Sequence, residues 1–217
     1  MPRDADRRRR GAQTPLGLGL ALVLAAWMLT GSIASAQGIS SRERVAVIRL
    51  YNGLNAIDLL GDGHRGQVVV SRRENADAHG YSTALFQVRA LANPSDTTSA
   101  VEWQVIPFFG PDHPPDGAEL FRTGESPDCV LSDLRVFRRG RGRPVEIVIA
   151  HRAFGRSDAD STAVRFELYE LRTNDEGTAG APTYSFRHVR TMRAQRRYCD
   201  VNEAFAQELA MGREGLH

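Results

Sequence analysis

The chain has 217 residues, 28 basic and 26 acidic side chains, and a formal net charge of +2. Five arginines and two aspartates lie in the first 36 residues. The remainder is therefore near neutral, which removes the electrostatic argument for a nucleic-acid partner. Every fixed cation is Arg, and no Lys occurs anywhere.

The N-terminus carries Arg7 to Arg10, then the apolar run "LGLGLALVLAAWMLTGSIA", then Ala34-Ser35-Ala36. A positive region, an apolar region and an A-x-A end describe a secretory signal peptide. Cleavage after Ala36 is expected, with Gln37 the first mature residue and export to the periplasm. An uncleaved anchor is the alternative, since the apolar run is about long enough to span a bilayer. After cleavage no membrane partner is expected. The following residues, 37–217, are enough for one domain with a real core.

"VAVI" at Val45 is continuously apolar and reads as a central strand covered on both faces. Strands follow at Gln67–Ser71 and in "ALFQVRA", which puts Ala84, Phe86, Val88 and Ala90 on one side. "VEWQV" alternates, with Val101, Trp103 and Val105 on one face. Leu131–Phe137 comes next, then "VEIVIA" at Val145, a second doubly covered strand. "VRFEL" puts Val164, Phe166 and Leu168 together, and Tyr184–Met192 is the last strand. Turn-rich segments such as "GPDHPPDG" and "NDEGTAGAP" separate them. One helix is expected, at the C-terminus. Asp200 caps it, Glu203 sits at capping-box spacing, and Phe205 and Leu209 share a face. The expected fold is all-β, an antiparallel β-sandwich with a short C-terminal helix.

Cys129 and Cys199 both lie in the exported part. In an oxidising compartment a disulfide is the simplest reading; two buried free thiols are the alternative. "DLLGDGHRG" offers Asp58 and Asp62 around a turn glycine, a partial calcium loop with Leu60 where a third oxygen is wanted. It could hold one Ca²⁺ with water completing the shell. The plainer reading is a β-turn that uses Asp-Gly. In "RRENADAHG", Arg73 and Asn75 could bind a carboxylate or amide, with Glu74 beside them and His79 as a polar contact. A solvated loop with internal Arg–Glu pairing is the bland alternative. His64, His113, His188 and His217 read as isolated.

Taken in order, "NAIDLLGDG", "VVVSRRENADAHGY", "DCVLSDLRVFR", "RAFGRSDADSTAVRFELYEL" and "YCDVNEAF" resemble the CarG-like carbapenem self-resistance proteins. The resemblance covers nearly all of the chain after the leader. It implies a small periplasmic β-sandwich with short terminal helices, a homodimer, and protection of a cell from a carbapenem. It also implies a cation site, matched here by Asp58 and Asp62, and a likeness in fold to periplasmic inhibitors of invertebrate-type lysozyme.

The residues favour protection without hydrolysis. A chain without Lys cannot assemble the S-x-x-K and K-T-G motifs of serine β-lactamases. No G-x-S-x-G elbow occurs, and no H-x-H or H-x-x-x-H spacing offers a zinc hydrolase site. No enzyme is expected. One reading is a protein that binds a β-lactam, or shields its cell-wall target, with Arg against the antibiotic carboxylate. The other is an inhibitor of a lysozyme-like hydrolase that projects "DHPPDG" or "RRGRGRP" into an acidic cleft.

Overall fold

The computed structural model describes residues 45–76, 80–91, 97–98, 100–213 and 215–216. The expected leader and the candidate ligand residue His79 lie outside the described residues. Twelve strands and one helix are assigned among them. In chain order the strands are β1 (Ala46–Ile48), β2 (Gly53–Ile57), β3 (Gly66–Arg73), β4 (Tyr81–Leu91), β5 (Val101–Val105) and β6 (Phe108–Phe109). They continue as β7 (Leu120–Arg122), β8 (Gly124–Glu125), β9 (Val130–Arg138), β10 (Glu146–Arg152), β11 (Thr162–Thr173) and β12 (Tyr184–Tyr198), followed by helix α1 (Val201–Leu209).

The strands form two sheets. The larger runs β1-β9-β10-β11-β12-β6, with β8 also paired to β9. The smaller runs β2-β3-β4-β5, with β7 also paired to β4. All pairings are antiparallel except the two-residue β12–β6 ladder. The expected antiparallel sandwich with one C-terminal helix is the observed fold.

Alternation explains how the large sheet is covered. Ile147 and Ile149 of β10 join the core between the sheets, with Val68, Phe86 and Val88 opposite. Val148 and Ala150 belong to a second core with Val201, Ala204 and Phe205 of α1. "VEIVIA" is continuously apolar because both of its faces are buried. Phe86, Phe108 and Phe186 knit the inter-sheet core, with ring centroids 4.9 to 5.6 Å apart. A buried ion pair lies at the second core. Arg135 Nη1 donates to Asp133 Oδ2 at 3.1 Å, and Arg135 Nη2 donates to Asn202 Oδ1 at 2.6 Å.

Two expectations, the central place of β1 and the capping box at α1, need correction. "VAVI" is not a doubly covered central strand: β1 is short, pairs only with β9, and exposes Val47. Its apolar residues serve an edge. In β5, Val101 and Trp103 share one face as expected, and that face is largely open to solvent. At α1, Asp200 accepts from the Asn202 amide at 2.7 Å, but Glu203 accepts from the Gln207 side chain, so the reciprocal half of the capping box is not made.

Candidate binding groove and polar cluster

The Asp58 loop is closed by its own side chains. Asp58 Oδ1 accepts from the Gly61 amide at 2.7 Å and Oδ2 from the Gly63 amide at 3.2 Å. Asp62 accepts from the His64 amide at 2.8 Å and pairs with the His64 ring at 3.3 Å. Leu59, fully buried, anchors the loop in the core, and its carbonyl accepts from the Val145 amide. Gly61 has a positive φ, and a Cβ there would lie 2.4 Å from the Arg143 backbone. Only glycine lets the two loops meet.

This loop forms one wall of a groove of about 770 Å³ on the smaller sheet. The register puts Leu54 and Ala56 of β2, Gln67 of β3, and Arg89 and Trp103 of β4 and β5 on the outer face. Leu54 is 67% and Trp103 44% exposed, so a large apolar area faces water. Arg65 and Arg89 line the same groove, and neither has a carboxylate partner among the described residues. Volumes of this size with an apolar floor and few polar groups suit a small ligand. Sequence patterning found Trp103 as a strand residue but gave it no role; Arg65, Arg89 and Leu54 carried no signal.

The other expected ligand residues lie elsewhere. Arg73 ends β3, six residues beyond Gln67, or about 20 Å along an extended strand. It donates to Tyr81 Oη at 3.1 Å, and Arg122 packs over the same ring at 3.8 Å. Glu74 pairs with Arg72, which also reaches Glu125 at 3.0 Å. Asn75 follows as a loop residue. Cys129 and Cys199 are disulfide-bonded, with Cα atoms 5.7 Å apart.

Sequence reasoning missed a second constellation on the larger sheet. His151 of β10 faces Ser132 of β9 and Arg165 of β11 in one register row. Ser132 Oγ lies 3.1 Å from His151 Nδ1, and His151 Nε2 lies 3.9 Å from Glu167 Oε2. Glu167, 2% exposed, accepts from Tyr169 Oη at 2.9 Å and forms an ion pair with Arg165, whose Nε lies 3.0 Å from Oε1. Arg165 also pairs with Asp112. Burial holds the imidazoles of His151 and His113 below the ordinary histidine range, against the opposing pull of Glu167. Burial, then Glu167, pushes the Tyr169 phenol up. His113 lies against Tyr169 with centroids 5.8 Å apart, and His188 lies 5.6 Å from it on the strand beside. Gly110 permits this packing, since a Cβ would meet Tyr169 Oη at 2.6 Å. Of the histidines that read as isolated, His113 and His188 thus meet at Tyr169, whereas His64 stays in the Asp58 loop and His217 lies outside the described residues. Asp112, His151 and Glu167 place one ligand atom each within 4.8 Å of one another, a set able to hold a metal ion.

A family model described as "Carbapenem resistance protein CarG-like" matches residues 50–207. The chain belongs to the CarG-like family. The match contains both the groove and the polar cluster. The crystal structure of CarG is similar in fold, with a TM-score of 0.60 and 21% identity over 77% of this chain and 98% of that one. None of the curated proteins matches the chain. Membership in the CarG-like family supports a role in resistance.

Proposed function

We propose that this CarG-like chain is an exported protein that protects against a carbapenem by binding it without opening its ring. The observation that carries the reading is the groove. It combines an apolar floor at Leu54, Val101 and Trp103 with the guanidinium groups of Arg65 and Arg89, which have no carboxylate partner among the described residues. A carbapenem offers the complement, a compact ring system bearing one carboxylate. Arg binds a carboxylate through two parallel N–H donors, and partial desolvation by the apolar floor strengthens that contact. The disulfide and the leader-like N-terminus support an oxidising, extracytoplasmic location.

Trp103 is the only Trp beyond residue 36, so it reports on the groove in leader-free protein. Titration with a carbapenem should change its fluorescence in a saturable manner. Arg89→Met should weaken binding by about tenfold or more, the loss of one charge-assisted hydrogen bond of roughly 1.5–3 kcal/mol. Unaltered Trp103 emission at saturating antibiotic would overturn the groove as the site.

A further inference from the structure

We propose that Asp112, His151 and Glu167 form a site for a first-row divalent transition metal, with Zn²⁺ as the representative ion, and that Arg165 competes for it. The three ligand atoms already lie within 4.8 Å of one another. With bonds of about 2.0–2.1 Å to each ligand, an ion between them requires closure by several tenths of an ångström. One imidazole nitrogen and two carboxylate oxygens suit such a metal better than a hard cation, which prefers oxygen alone.

The surroundings resemble a prepared coordination shell. Metal-bound histidines are usually held at their second ring nitrogen, and Ser132 holds His151 at Nδ1, 3.1 Å away. That contact leaves Nε2 turned toward Glu167 at 3.9 Å, too far for a hydrogen bond but suited to two ligands of one ion. Tyr169 fixes Glu167 through a hydrogen bond to Oε2. Close by, His113 Nε2 is buried with no hydrogen-bond partner among the described residues, an imidazole nitrogen beside the same Tyr169 ring.

The charge balance explains how the site stands without an ion. Arg165 bridges Glu167 and Asp112 and neutralises part of their charge. Its side chain is 44% exposed, so it can leave for solvent when a dication takes its place. Guanidinium and metal exclude each other. The proposal is independent of the antibiotic groove, which lies on the other sheet.

The test is calorimetric titration of leader-free, chelator-treated protein with Zn²⁺ alone. One ion per chain should bind. His151→Ala should abolish that event, and Asp112→Asn, at an exposed residue whose loss spares the core, should weaken it strongly. Ser132→Ala, which removes only the support of His151, should weaken binding by about tenfold. Arg165→Met should tighten it, an outcome that neither a surface histidine nor a purely structural cluster predicts. Unchanged Zn²⁺ affinity in both His151→Ala and Asp112→Asn would overturn the site. Weaker or equal binding in Arg165→Met would overturn the competition.

Discussion

Single residues in this chain do opposite work depending on which face of the large sheet they join. Asp133 and Arg135 point toward α1, fully desolvated, and burial raises the Asp133 carboxyl above its ordinary range despite Arg135 beside it. Arg135→Met would leave that carboxylate buried without its ion-pair partner, held only by the Leu134 and Leu216 amides, and should cost about 3–5 kcal/mol, read as a lower denaturant midpoint. His113 behaves differently. Its pKa in the folded protein lies below the unfolded value of 6.5. The stability it contributes is therefore full above 6.5 and is lost as pH falls toward the depressed folded value. His113→Phe should keep the ring packing against Phe108 and Tyr169 while flattening that loss. Thermal melts of the two proteins between about pH 7 and pH 5 check this; parallel curves would contradict it. None of this was legible beforehand, because Ser132, Asp112, His151 and Glu167 sit on separate elements with no spacing in common. The available hint was local. Glu167 lies between Phe166 and Leu168 in an alternating strand, and Tyr169 follows on the face it shares, which marks that polar face as buried.

At the scale of elements, alternation was the dependable signal where a strand has one buried face. β4 buries Ala84, Phe86 and Val88 as its pattern requires. β2 escaped notice because "GLNAI" begins at a glycine and shows no clean period. The reading of β1 failed because a three-residue apolar edge and a buried central strand look alike in composition. The C-terminus is secured by several means. Glu208 of α1 accepts from the amides of Gln195 and Arg196 and from Tyr198 Oη. Burial works against that carboxylate, yet these hydrogen bonds hold its pKa below the ordinary value. They also engage backbone donors of β12, whose outer edge β6 covers only at Phe186 and Arg187. The disulfide fastens the start of the helix to β9 across a separation of 70 residues. Chain-entropy reasoning puts its contribution at roughly 4 kcal/mol, an upper figure. Cys199→Ser should lower the melting temperature and open the segment after Tyr198 to protease. At the other end of α1, Ala210 adopts a left-handed conformation with φ of 53°. Ala210→Gly should stabilise the protein by up to about 1 kcal/mol, measurable as a raised denaturant midpoint.

At the scale of the whole molecule, the sandwich divides two chemistries between its sheets. The smaller sheet presents apolar surface outward, beside Arg65 and Arg89, which have no carboxylate partner among the described residues, while the larger holds a His–Glu–Tyr cluster on its inward-facing side. The fold class followed from strand periodicity and a single capped helix. The groove did not, since Leu54, Arg65, Arg89 and Trp103 meet only once β2 to β5 have paired. Protection by binding requires that the antibiotic leave the protein as it entered. Incubating leader-free protein with a carbapenem, separating the complex and weighing the bound and released small molecule tests this directly. One antibiotic per chain should be recovered at its original mass, with Arg65→Met and Arg89→Met each reducing the bound fraction. Recovery of the antibiotic at the mass of one added water, formed in proportion to protein and time, would contradict it.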